Sequence, residues 1–290
     1  MLQLASKNLE NSAQARLTDL QSTVNALSDF TAKANKAKAL WEDKTNSNIG
    51  KSAFETIKNT LAEMCVSVKI CNYCEQNEAN DIEHIYPKSL FPEKAFVWDN
   101  YLLACKQCNT AYKSDKFAVL DNNDDIIDLP RNTQPPHDRG AFINPRVEDP
   151  SAFMLLNIGS YKFEILPNLL KPDNNKAVKT IEILQLNNRD QLVESRRAAA
   201  VYFFQRMDLL TKILTATTIA EIKSLLTPYD AEIDDQMILY DIKVQITAGF
   251  KRDIQTHANP SVWNAIKTIE SKTNEKWRAI FDAIPDALNW

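Results

Sequence analysis

The stretch "CNYCEQNEANDIEHIYPKSLF", Cys71–Phe91, opens on a Cys-x-x-Cys pair and places Glu83 directly before His84. Its counterpart, "WDNYLLACKQCNTAYKSDK", Trp98–Lys116, carries a second pair at Cys105 and Cys108, with Asn109 immediately after it. A two-residue spacer turns both sulfurs of a knuckle toward one ion, and four thiolates complete a closed tetrahedron suited to zinc. Cys71, Cys74, Cys105 and Cys108 are therefore expected to hold a structural Zn2+ with no open position for substrate. The fifth cysteine, Cys65, falls in a helical pattern and is read as a packed thiol.

The residues between the knuckles decide the chemistry. Closing a zinc site folds the two ends of this insertion together, which can bring residues near position 83 close to Asn109. A glutamate and a carboxamide are hard oxygen donors that suit Mg2+ or Mn2+, leaving most of an octahedral shell for water and phosphate oxygens. His84, with an ordinary pKa near 6.5, can take a proton from a water in line with a phosphorus. The structural alternative for His84 is a strand residue satisfied by a backbone carbonyl. From Tyr86 to Lys116, five lysines against three acids leave a local net charge of about +2, in a chain whose overall formal charge is −4. There is thus no global positive field for nucleic acid, only a local one, and Lys88 and Lys113 are the preferred phosphate contacts. Trp98 and Tyr101 are expected in the core, and His137 and His257 in structural or solvent-facing positions.

Outward from this centre, Leu17, Leu20, Val24, Leu27 and Phe30 recur at helical spacing. "NSNIGKS" reads as a turn, followed by a helix with Phe54, Ile57, Leu61 and Met64 on one side. "LDNNDDIIDLPRNTQPPHDRG" reads as an irregular connection, and "FMLLNIGSYKFEIL" as a hairpin. Beyond Asn174 the pattern is helical through "AVKTIEILQL", "QLVESRRAAAVYFFQRMDLLTKIL", "IAEIKSLL", "DDQMILYDIKVQITAGF" and "SVWNAIKTIESKTNEKWRAIFDAI". Tyr202, Phe203 and Phe204 require a packing partner, in the same chain or another. Arg146, Arg196 and Arg197 either meet phosphate or pair with acids such as Glu148 and Glu194. Three regions result: a helical N-terminal arm over 1–64, a zinc-stabilised core over 65–150, and a hairpin with C-terminal helices over 151–290.

With 44% hydrophobic residues the chain can bury a core, and no run reaches the roughly 18 to 20 apolar residues that span a bilayer. "MLQLASKNLE" carries Lys7 and Glu10 where a signal peptide needs its apolar stretch. A cytoplasmic setting without membrane contact is expected, where paired knuckles hold metal rather than disulfides.

Cys-x-x-Cys, then Glu-His, then Asn-Tyr-Leu-Leu-x-Cys-x-x-Cys-Asn-x-x-x-Lys resembles the HNH endonucleases of the treble-clef zinc subgroup. The resemblance implies an α+β, predominantly helical chain with a ββα-metal core. It also implies His84 as general base, Glu83 and Asn109 as ligands of the catalytic metal, and Asn100 as the residue that ties the loop between the strands. Lys113 stands where some members have a third histidine, and Glu83 where aspartate is common. "YCE", "DIEHIYPKS", "WDNYLLACKQCNTAYKSDKF" and "FINPRVEDP" are similar to the nuclease subunit of the Septu anti-phage systems, the PtuB branch. That branch works with an ABC/SMC-like ATPase (PtuA-like), to which the helices at both ends of this chain are expected to dock. DNA is the favoured substrate. RNA, cut by the same chemistry, and an adaptor with a decayed centre are the competing readings.

Overall fold

The computed structural model describes residues 1–229 and 236–290, so the first two residues of "DDQMILYDIKVQITAGF" lie outside the described residues. It is helix-rich, with three small two-stranded sheets. The described chain divides into two compact units, Met1–Leu155 with Lys162–Leu192, and Leu156–Tyr161 with Val193–Trp290. In this division the N-terminal helices belong to the same unit as the knuckles.

In the first unit, helix α1 (Asn11–Asn25) buries Leu17, Leu20 and Val24. The helical spacing suggested one helix through Phe30, but the chain breaks and restarts as α2 (Phe30–Glu42), because the Asp29 side chain caps the free Ala32 amide. Helix α3 (Asn48–Glu63) buries Phe54, Ile57 and Leu61 and is capped by Ser47, whose hydroxyl accepts from the Gly50 amide. Gly50 permits the tight corner before it, since a Cβ there would stand 2.1 Å from the Lys44 carbonyl oxygen. Helix α1 packs on α2 and α3, and α3 packs on strand β2 (Tyr101–Ala104). Gln21 of α1 donates to the Pro92 carbonyl and accepts from the Phe96 amide, which ties α1 to the loop leading into that strand.

Strand β1 (Asp81–His84) pairs antiparallel with β2, setting Glu83 opposite Leu102 and His84 opposite Tyr101. A wide helical turn, Gln107–Lys113, follows the second knuckle, with the Ser114 amide reaching the Asn109 carbonyl. The segment read as irregular begins instead with a hairpin, β3 (Ala118–Leu120) against β4 (Ile126–Asp128). Its strands are too short to show periodicity, and its turn is closed by the Asp121 carboxylate accepting from the Asn123 and Asp125 amides. Strands β5 (Met154–Asn157) and β6 (Lys162–Ile165) form the expected hairpin, and α4 (Lys171–Leu184) follows.

The second unit takes most of α5 (Asp190–Thr215), then α6 (Ile219–Leu226), α7 (Leu239–Thr256), α8 (Pro260–Ala265), α9 (Ser271–Thr273) and α10 (Glu275–Ala283). Phe203 is fully buried, the Phe204 ring lies 5.4 Å from that of Trp277, and Tyr202 stacks on His257 at 4.3 Å. The aromatic face of α5 thus finds its partners within the chain.

Candidate active site and metal centre

The first knuckle is a tight turn in which the Glu75 amide returns to the Cys71 carbonyl, with Glu75 at a φ of 60°. The second begins where β2 ends. The four sulfurs of Cys71, Cys74, Cys105 and Cys108 lie within 4.8 Å of one another, and those of Cys74 and Cys105 are 3.9 Å apart. A Zn–S bond of about 2.3 Å gives a tetrahedral edge of about 3.8 Å, so the box fits zinc. Burial holds the Cys71 thiol well above its ordinary pKa; such a box is suited to a cation that compensates buried thiolates. The sulfurs also have polar neighbours. The Cys108 amide and the Asn77 side chain face the Cys105 sulfur, and Arg189 donates to the Cys108 sulfur at 3.2 Å and to Gln107 at 3.1 Å. Arg189 also lies over the Tyr112 ring, 4.3 Å from its centroid. Cys65 stays outside the cluster.

His84 ends β1, only 6% exposed. Its ring meets Trp41 edge-on at 4.3 Å and Tyr101 at 5.1 Å. Its Nε2 lies 2.9 Å from the Ala95 carbonyl, which also accepts from the Tyr101 hydroxyl at 2.6 Å. A carbonyl only accepts, so Nε2 carries the proton and Nδ1 keeps its lone pair. The carbonyl partner that the structural alternative requires is present, yet it leaves the ring a free basic nitrogen. Burial, followed by the charge of Lys88, holds the His84 pKa well below its ordinary value, so the ring is neutral at neutral pH.

Asn100 fixes the loop that supplies that carbonyl. Its Oδ1 accepts from the Tyr86 amide at 2.8 Å, and its Nδ2 donates to the Tyr86 and Lys94 carbonyls at 3.0 and 2.9 Å. Glu83, His84 and Asn109 line one cavity of about 170 Å³ together with Lys88, Ser114 and Asp115. The Asn109 Nδ2 donates to Asp81 at 3.3 Å, which leaves its oxygen as a possible ligand. A carboxylate and a carboxamide oxygen in one polar cavity fit a hard divalent cation.

Lys113 departs from expectation. It is fully buried, with its ammonium 2.6 Å from Glu83 Oε1 and 2.7 Å from the His84 carbonyl. A phosphate outside the protein is out of its reach; it is an internal counter-charge for a carboxylate whose pKa burial would otherwise raise further. Lys88 does line the cavity. Arg146 supports β2 rather than a phosphate or Glu148, donating to the Trp98 and Tyr101 carbonyls and to Asp99. Arg196 is buried with a bond to the Tyr161 carbonyl, and Arg197 pairs with Glu194. Trp98 and Tyr101 are core residues, as their pattern implies. Trp41 and Arg189 escaped the sequence reading, because Trp41 reaches its partner from α2 and Arg189 from the connection between α4 and α5, and neither sits in a motif.

Comparison with known proteins bears on the same residues. Residues 71–115 match the HNH endonuclease family model. That span contains both knuckles, Glu83, His84, Asn100, Asn109 and Lys113. The chain is also similar to the Septu protein PtuB of Bacillus thuringiensis, with 29% identity over 145 residues. This match covers 48% of the chain and 44% of the relative, so the chain spans under half the length of the protein it matches. No solved structure matches the chain. No helix among the described residues is long and apolar enough to cross a membrane.

Proposed function

We propose that the chain is a metal-dependent HNH endonuclease that hydrolyses phosphodiester bonds in DNA. In this reading it is the nuclease of a prokaryotic, Septu-like defence system with an ATPase partner, and works in the cytoplasm. The observation that carries the reading is the convergence of Glu83, His84 and Asn109 on one cavity, with the His84 ring committed to a single tautomer. Zinc in the Cys71, Cys74, Cys105 and Cys108 box holds β2 and the following helical turn, and with them Asn109, against the first knuckle. Glu83 and Asn109 would hold Mg2+ or Mn2+, and such an ion would supply charge neutralisation at the phosphate and at the leaving oxygen. His84 Nδ1 takes the proton of a water as its oxygen attacks phosphorus, and Asn100 keeps the loop carbonyl on Nε2 so that the lone pair stays available. Hydrolysis by water needs no 2′-hydroxyl, so this chemistry extends to RNA.

One observation favours a second reading, a catalytically silent adaptor: the Lys113 ammonium already neutralises Glu83. Purified protein incubated with plasmid DNA or RNA in magnesium or manganese, with and without the ATPase, separates the two. Cleavage by the wild type and its loss in His84→Ala, with zinc content intact, is the expected result. A His84→Ala protein that cuts normally refutes the base assignment, and a wild type that never cuts favours the adaptor.

A further inference from the structure

The cavity that holds Glu83, His84 and Asn109 borders a larger opening of about 560 Å³, the two sharing Trp41, Ile82 and Asn109 as lining. Lys44, Lys51 and Lys58 line the larger one, facing Glu55 and Asp81. These lysines belong to the α2–α3 corner, outside the stretch that matches the family model. Lys51 and Lys58 are exposed and lie seven residues apart on α3, two helical turns on one face and about 10 Å along the axis.

Lys44 Nζ sits 4.5 Å from the centre of the Trp41 ring and donates to the Trp41 carbonyl at 3.1 Å, while Lys88 Nζ lies 5.8 Å from the same ring. Two half-buried ammonium groups thus share one indole, and burial and then Lys88 lower the pKa of Lys44. Lys113, Lys176 and Lys179 have carboxylate partners in Glu83, Glu148 and Asp128, whereas Lys94, like Lys44, lies over an aromatic ring without one among the described residues. Among the described residues no carboxylate lies within ion-pair distance of Lys44 or Lys88, although Glu83 and Asp115 are near enough to act on Lys88. Like charges with so little compensation cost stability, and anions bound beside them relieve that cost. Three further features fix the class of anion: the charges extend over about 10 Å, the opening is too large for one phosphate, and it adjoins the residues assigned to phosphodiester cleavage.

We propose that the α2–α3 corner is the second wall of a nucleic-acid groove, in which Lys44, Lys51 and Lys58 hold backbone phosphates to one side of the scissile bond. Trp41 is the divide between this wall and His84, while Lys88 serves the phosphate nearest the base. The inference rests on the nuclease reading of the adjoining cavity, but it is tested by binding alone, so its failure is separable from a failure of catalysis.

The test uses full-length, zinc-loaded His84→Ala protein without added divalent metal. Its affinity for a fluorescent DNA duplex and for a single-stranded RNA is followed by anisotropy as salt rises. Replacing Lys44, Lys51 and Lys58 together by glutamine should weaken binding at least tenfold. It should also flatten the slope of log affinity against log salt by about 2.7 on the duplex or about 2 on the single strand. A Lys36→Gln/Lys38→Gln control, on an exposed part of α2, should change neither. Thermal melting and zinc content check that the triple variant is folded. A flattened slope with either polymer supports the groove. Unchanged affinity and slope with both, an equal loss in the control, or a parent protein that binds neither polymer overturns it.

Discussion

His84 shows how one hydrogen bond sets a residue's chemistry. The bond from Nε2 to the Ala95 carbonyl selects the tautomer, and burial with Lys88 nearby holds the ring neutral. If His84 is the base proposed above, it must be unprotonated to accept a proton; its pKa is pushed below 6.5, so activity should be retained at pH 6.5 and lost only as pH falls further. The acid limb of a kcat/KM profile on DNA should therefore lie below pH 6.5, whereas an unshifted histidine would put its midpoint there. Lys113 is the opposite case, a charge whose value is internal. Lys113→Met leaves the buried Glu83 carboxylate without its counter-charge and should cost about 3 to 5 kcal/mol of stability in metal-free buffer, read from denaturant unfolding. Added Mn2+ should restore part of that loss if Glu83 is a metal ligand, because binding to the native state alone stabilises it.

At the scale of elements, strands of four residues and a single wide helical turn are too short to stand on their own propensities. The thiolate box is what makes them a site. Structural zinc contributes folding free energy directly. Removing it with a strong chelator, or replacing Cys71 by serine, should therefore collapse the unit's thermal transition as zinc is released. Arg189 offers a finer probe, since its guanidinium donates to the Cys108 sulfur. Outer partners of metal ligands are worth about 10- to 100-fold in metal affinity, so Arg189→Leu should lose zinc to a competing chelator at correspondingly lower concentrations. The wide turn has its own part: the Ser114 amide bonds to the Asn109 carbonyl, five residues back, so the turn spans the segment from Asn109, at the cavity, to Lys113, buried beneath it. Wide turns of this kind recur at functional sites.

For the whole molecule, the described chain divides into two compact units. Phe203 is central to the second, with rings of His257 and Trp263 about it at 5.0 and 5.4 Å. Phe203→Ala should destabilise that unit by about 3 to 5 kcal/mol, visible as an earlier transition in calorimetry, while zinc content should stay unchanged because the four cysteines that could hold it lie in the other unit. The net charge of −4 gives no long-range attraction for nucleic acid, so contact depends on lysines gathered locally by folding.

The thiolate knuckles, the Glu83-His84 pair and Asn109 were legible in the chain because their chemistry is written in local spacing. The same spacing implied that closing the knuckles would draw positions 83 and 109 together. Periodicity likewise located most helices and the β5–β6 hairpin, but not the break between α1 and α2, which turns on one capping aspartate, nor the three-residue strands β3 and β4. Spacing was silent on Trp41 against His84 and Arg189 on Cys108, and the local charge count that suggested Lys113 for phosphate was silent on its burial against Glu83. Those placements depend on which distant elements pack together and which ammonium ends beneath a carboxylate. Such contacts form only when the core closes, and they are decided by shape and burial rather than by neighbours in sequence.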